Sequence, residues 1–277
     1  MNIIGIDFED WYHPELVQKY VKDKKHEPTM FQGLEKILDM LRKNDTQATF
    51  FVVGELLENN PEIFNKIVEN EHEIAFHTMY HTRIDTPIFK ENFPNEIEKF
   101  SKLTNKKSRG FRAPTFSLNK NSSWIIDSLY EYDYLYDSSI VPAKTNMYGN
   151  PNADTKPYRI SSGSLEEDSS DGKLIEFPLL VASFLGKKIP AGGGFYLRTL
   201  PPKIIKNAIK NYEKQEIPAT FYIHSWELTP EYMPKISMST KDGFVTYHNI
   251  QKAMSRMDDI LKQFNFTSFS RYLNNNH

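Results

Sequence analysis

The chain has no cysteine among its 277 residues. No disulfide can form, and any metal site would have to use nitrogen and oxygen donors. It has no apolar run near the ~18–20 residues that span a bilayer. It has no basic excess either: 34 Lys and Arg stand against 36 Asp and Glu, for a net charge of −2. That balance argues against a nucleic-acid partner and against an electrostatic hold on anionic lipid. Peripheral membrane association by other means stays open. The opening stretch, MNIIGIDFEDWYH, has no positively charged n-region, no long apolar h-region and no small-residue cleavage site. From these absences we expect a cytoplasmic protein. What is present is ordinary for a globular chain: 39% apolar and 25% charged residues.

Strand-like and helix-like segments alternate along the whole length. IIGIDF (3–8), QATFFVVG (47–54), EIAFH (73–77), SRGFRAP (108–114), DYLYDSS (133–139), KLIEFPLLV (173–181), PATFYIHSW (218–226) and FTSFS (266–270) read as strands. Residues 30–44, 55–71, 95–106, 122–132, 202–216 and 246–264 read as helices, the second broken near Pro61. This alternation predicts an α/β fold with a largely parallel sheet, in one domain over 1–277. Residues 140–172, rich in Pro, Asn, Ser, Gly and Asp, read as an irregular insertion that lines or covers a groove. In such folds chemistry gathers after the C-terminal ends of strands. Asp7, Glu9 and Asp10, His77 and His81, Arg112, Asp137 and His224 all fall there.

Two of only eight histidines stand four apart in HTMYH, at 77 and 81. They read either as a ligand pair or as polar residues of a surface turn. IDFEDW puts three acids into four residues at a strand end. Clustered like charge is costly unless a cation or proton offsets it; an acidic helix cap is the common alternative, but the tightness of the cluster and its place at a strand end favour function. Neither motif decides alone.

The motifs taken together resemble the polysaccharide deacetylases of the NodB-homology, carbohydrate esterase family 4 type. They are most similar to the exopolysaccharide-associated branch, whose first motif reads like DVEDWFH. IDFEDWYH (6–13) stands in that place, HTMYH (77–81) in that of His-Ser/Thr-x-x-His, and FRAPTF (111–116) in that of Arg-x-Pro. YDSS (136–139), AGGGFYLRTLP (191–201) and YIHSWE (222–227) follow in family order. The resemblance implies a deformed (β/α) barrel with about seven parallel strands. It also implies a divalent metal, zinc by first preference, held by Asp10, His77 and His81. Glu9 falls where the family has its aspartate base, with Asp7 as the alternative base or an orienting group. By the same resemblance His224 is the general acid, Asp137 the carboxylate that keeps it charged, and Arg112 the partner of the base. A backbone N–H near Thr115 would meet the oxyanion.

Tyr80 and Trp226 are candidates for stacking on sugar, although aromatics more often pack in a core. His13 is a candidate support for the metal ligands. The implied reaction is hydrolysis of the N-acetyl group of an N-acetylhexosamine unit in a glycan or glycan precursor. Two alternatives are a sugar deformylase or other amide hydrolase of the same fold, and a carbohydrate-binding pseudoenzyme.

Overall fold

The computed structural model describes residues 1–21, 26–184 and 186–276. Eleven strands are present among them: β1 (Asn2–Phe8), β2 (Thr49–Val52), β3 (Glu73–Phe76), β4 (Gly110–Phe111), β5 (Tyr136–Asp137), β6 (Tyr158–Ile160), β7 (Leu174–Glu176), β8 (Val181–Phe184), β9 (Lys187–Pro190), β10 (Thr220–His224) and β11 (Phe266–Thr267). The main sheet runs β10-β1-β2-β3-β4-β5-β7-β6. Seven of these strands are mutually parallel, and β6 joins the edge antiparallel to β7. β11 pairs with Asn2 and Ile3 of β1.

The sheet curls back on itself. A parallel bridge joins Leu179 to Thr220, and the Tyr222 N–H donates to the Gly192 carbonyl at 2.7 Å. The result is the deformed (β/α) barrel expected from the resemblance. Among the described residues no helix is long and apolar enough to cross a membrane.

Both faces of the sheet are buried, as parallel sheets require. Alternation along β1 turns Ile4, Ile6 and Phe8 outward to the helices. Ile3 turns inward and packs with Phe51, Ala75, Tyr136, Phe177 and Phe269. Gly5, also inward, makes room for a charge. A Cβ there would lie 2.7 Å from both Arg112 Nη1 and the Phe51 ring.

Several elements differ from the expected boundaries. The strands at 108–114 and 133–139 shrink to two residues each. The helix expected at 95–106 spans Pro87–Leu103 and carries Pro94 inside it. Burial of Phe89, Phe93, Ile97 and Phe100 at helical spacing offsets the hydrogen bond that Pro94 removes. The run 173–181 holds β7 and ends where β8 begins, and β8 pairs antiparallel with β9. A helix at Thr240–Tyr247 lies ahead of the region read as helical. Residues 140–172 are mostly irregular apart from β6.

Candidate active site

Register across the sheet assembles the site. Phe8 of β1 lies level with Val52 of β2, and Val52 with Phe76 of β3. The residues that follow, Glu9 and His77, therefore leave the sheet at the same height. The loop after His77 turns back through left-handed backbone at Thr78 (φ 60°) and His81 (φ 54°). It is pinned by Gly54 N–H to the Thr78 carbonyl (3.0 Å), Glu55 N–H to the Met79 carbonyl (2.9 Å), and Met79 N–H to Glu96 Oε2 (2.9 Å). This turn brings His81 to Glu9. One donor atom from each of Glu9, His77 and His81 lies within 4.8 Å of the others, and all three residues are buried.

The donor set has the chemistry of a cation site. His77 Nδ1–H donates to the Arg112 carbonyl at 2.7 Å, which leaves Nε2 with its lone pair free. Burial holds the His77 pKa down at about 4, against the opposing pull of Asp7, so the ring stays neutral. Glu9 Oε1 accepts a hydrogen bond from Trp226 Nε1 at 2.9 Å. Glu9 Oε2 is buried without a hydrogen bond, although His81 Nε2 lies 2.7 Å away. Burial acts to raise the Glu9 pKa, but His81, His224 and His77 outweigh it and hold the carboxyl well below its usual range. A buried carboxylate oxygen facing imidazole nitrogens at the edge of a cavity fits a divalent metal ion. His13 supports the set: its ring stacks on that of His81 at 5.8 Å, while Nε2 is bonded to Glu55 at 2.6 Å.

Asp10 is placed elsewhere. Its Oδ2 accepts from the backbone N–H groups of Thr29 (2.8 Å) and Met30 (3.0 Å), and its Oδ1 from Trp11 (3.0 Å). Three backbone donors occupy the carboxylate, two of them at the start of the short helix Met30–Gly33, so Asp10 caps that helix start from a distance and does not serve as the ligand expected from the motif. Glu9, expected as the base, stands with the two histidines in its stead.

Asp7 is the carboxylate held by Arg112. Arg112 is fully buried; Nη1 donates to Asp7 Oδ1 at 2.5 Å, Nε to the Ser138 carbonyl at 2.9 Å, and Nη2 to Ser138 Oγ at 3.0 Å. Its guanidinium carbon lies 3.9 Å from the Phe51 ring centroid. The fork leaves Asp7 little freedom.

His224 closes the site from β10. Its Nε2 lies 3.6 Å from Glu9 Oε1, and its Nδ1 is bonded to Glu227 Oε2 at 2.6 Å. Burial would lower the His224 pKa, but Glu9 and Glu227 raise it to about 9. The Glu227 pKa is held down at about 2: burial opposes this, and Arg198 and His224 outweigh it. Arg198 Nε donates to Glu227 Oε1 at 2.8 Å.

Asp137, expected beside His224, instead pairs in register with Glu176 across β5 and β7. Burial pushes both carboxyls up, Asp137 to about 6 and Glu176 well above its usual value, the latter also through Asp137. Two packed carboxyls share a proton more readily than they share charge. Glu227 does have a local signal, His-x-x-Glu at one-turn spacing ahead of a short helix, with both halves of a capping box. Arg198 stands in AGGGFYLRTLP, quoted above, but no local pattern joins it to Glu227, which lies 29 positions on.

A cavity of about 520 Å³ opens onto this cluster, lined at one end by Asp7, Glu9, His77, His81 and His224. Thr115 lines it in left-handed conformation (φ 53°), beside Phe116. Residues 145–148, from the irregular stretch, form part of the wall. The two aromatic candidates part company: Trp226 lines this cavity and Tyr80 does not. Trp226 is buried, stacks on His224 at 5.0 Å and bonds Glu9. Tyr80 is half-exposed, accepts from Lys99 Nζ at 3.2 Å and borders a separate shallow depression.

Comparison with known proteins bears on this arrangement. Residues 13–134 match the family described as polysaccharide deacetylase, and residues 138–274 match a domain of unknown function. A peptidoglycan-N-acetylglucosamine deacetylase of Bacillus cereus is 34% identical over 71 residues, 26% of this chain and 26% of that protein. An uncharacterized 30.6 kDa protein of Geobacillus stearothermophilus is 27% identical over 104 residues, 36% of this chain and 39% of its own. The chain thus spans well under half the length of these curated relatives. A Mycobacterium smegmatis structure described as a polysaccharide deacetylase superposes with a TM-score of 0.62, covering 99% of this chain and 90% of that one at 15% identity. At that identity the likeness speaks for the fold.

Proposed function

We propose, from the match of residues 13–134 to the polysaccharide deacetylase family and from the geometry of the site, that this chain hydrolyses the N-acetyl group of an N-acetylhexosamine unit in a glycan or glycan precursor, releasing acetate. One observation carries the reading. Glu9, His77 and His81 set three donor atoms within 4.8 Å, and Asp7 and His224 line the same cavity. A donor set, a tethered carboxylate and a protonated imidazole are the groups that amide hydrolysis needs.

In this reading Glu9, His77 and His81 hold a divalent ion, zinc by preference for two imidazoles and a carboxylate. When bound, the ion supplies Lewis acidity for the acyl oxygen and for a water molecule. Asp7, held by Arg112, takes the water's proton. The backbone N–H at Thr115 donates to the developing oxyanion. His224, kept charged by Glu227, gives its Nε2 proton to the departing sugar nitrogen, without which an amine is a poor leaving group. Phe116 and Tyr222, in edge contact at 4.8 Å, form an apolar wall for the acyl methyl and the sugar face. The assignment of Asp7 as base and Glu9 as ligand replaces the roles that Glu9 and Asp10 take by motif position.

The test is acetate release from a panel of N-acetylated glycans and glycan precursors, with and without a chelator. Release that stops on chelation and returns with added metal is the expected result. Formate in place of acetate, or metal binding with no acyl product from any glycan, would overturn the reading.

A further inference from the structure

Arg198 lies on the short helix Gly194–Thr199 and is 1% exposed. Its fork spans two parts of the molecule. Nε donates to Glu227 Oε1 at 2.8 Å, on the His224 side. Nη1 donates to the His248 carbonyl at 2.6 Å and Nη2 to the Val245 carbonyl at 3.0 Å. Those carbonyls lie at the C-terminal end of the helix Thr240–Tyr247, whose Lys241, Val245 and Thr246 line the same cavity as the catalytic cluster. Asn249 Nδ2 donates to the Arg198 carbonyl at 3.1 Å and completes the junction.

The other end of this helix is pinned separately. Asp242 takes Lys19 Nζ and Tyr20 Oη, both at 2.6 Å. The carboxylate of Glu227 packs so tightly on the helix bearing Arg198 that a Cβ on Gly194 would lie 1.7 Å from Glu227 Oε2.

Resting on the deacetylase reading, we propose that Arg198 is a positioning residue that ties the cavity wall at 240–249 to the His224–Glu227 pair. One rigid fork sets both the distance of that wall from the sugar and the orientation of the proton donor. A planar guanidinium can reach a carboxylate and two carbonyls that diverge from it. A lysine ammonium is a point charge that keeps the ion pair and gives up the span. A small displacement of a wall or a proton donor is enough to change turnover.

Two variants separate this link from a general structural role. Glu227→Gln retains an oxygen for Arg198 Nε but no charge for His224. It should lower kcat, on the order of tenfold or more, and leave KM and amide exchange over 240–249 as in the parent. Arg198→Lys should lower kcat and also raise KM, on the order of tenfold. It should also speed hydrogen–deuterium exchange over 240–249, with exchange in β1–β3 unchanged. Wild-type KM and wild-type exchange over 240–249 in Arg198→Lys would overturn the proposal, as would equal exchange changes in both variants. If the parent enzyme releases no acetate from any glycan, the deacetylase reading falls, and the exchange comparison alone decides the Arg198 link.

Discussion

Two acidic clusters of the same barrel invite comparison. One is Glu9 with His77 and His81 at the ends of β1 and β3; the other is Asp137 with Glu176 across β5 and β7. Both are buried, and both contain carboxylate oxygens without a hydrogen bond: Glu9 Oε2 in the first, Asp137 Oδ2 and Glu176 Oε2 in the second. They differ in what faces those oxygens. Glu9 opens onto a cavity between imidazole nitrogens. Asp137 and Glu176 face each other, closed in by Ser139 Oγ at 2.5 Å and the Ile140 N–H at 2.9 Å. Burial and negative charge are common to both, so neither makes a site. The first cluster asks for a cation from outside, and the second is completed by a proton.

Three measurements would break or sharpen this contrast. The largest effect is expected next to the open cluster. Asp7→Asn keeps the shape beside Arg112 but cannot take a proton, and turnover should fall by ~10²–10⁴-fold with the fold intact by circular dichroism. An active Asp7→Asn would return the base role to another carboxylate.

The second effect concerns neighbouring acids. Glu9→Gln should reduce the metal retained after dialysis at least tenfold, on the order of the loss seen when a ligand set is weakened. Asp10→Ala should retain metal while losing about 0.5–2 kcal/mol of stability from its cap. The reverse outcome, read by elemental analysis and thermal melts, would restore Asp10 as the ligand.

The smallest effect belongs to the sealed pair. Its folded pKa values lie above the unfolded carboxylate values, so the fold favours the protonated forms. The pair's contribution is complete below the unfolded values near ~4 and is lost as pH rises through about 6, where Asp137 ionises. Glu176→Gln keeps an acceptor for the Ile140 N–H and removes one charge. Its melting temperature should gain on wild type between about pH 5 and pH 8, by roughly 2–4 °C. A gap that does not change with pH would mean that the pair holds no shared proton.

Much of the barrel was legible before any coordinates. Parallel strands buried on both faces leave continuous apolar runs such as IIGIDF and ATFF, and the helices between them leave a 3.6-residue period. The short strands at Gly110–Phe111 and Tyr136–Asp137 were overextended because β-rich composition persists past the last ladder bond. The helix Thr240–Tyr247 was missed because Gly243 and polar neighbours dilute its period. At the site, the residue types and loops were readable, and the assignment among adjacent acids was not. Asp7, Glu9 and Asp10 differ by one or two positions, and motif order cannot say which way each carboxylate turns.

The amino-acid order by itself determined that an acid-rich strand end, a His-x-x-x-His turn, an Arg-x-Pro strand and a late histidine would lie at one end of a parallel sheet. Strand polarity and hydrophobic period are local properties, and they suffice for that. Tertiary structure alone decided that Glu9 meets the histidines, Arg112 takes Asp7, Asp10 caps a distant helix start, and Glu227 with Arg198 serves His224. These pairings depend on sheet register and on which backbone donors lie within reach in space, and neither is encoded in any single stretch of chain.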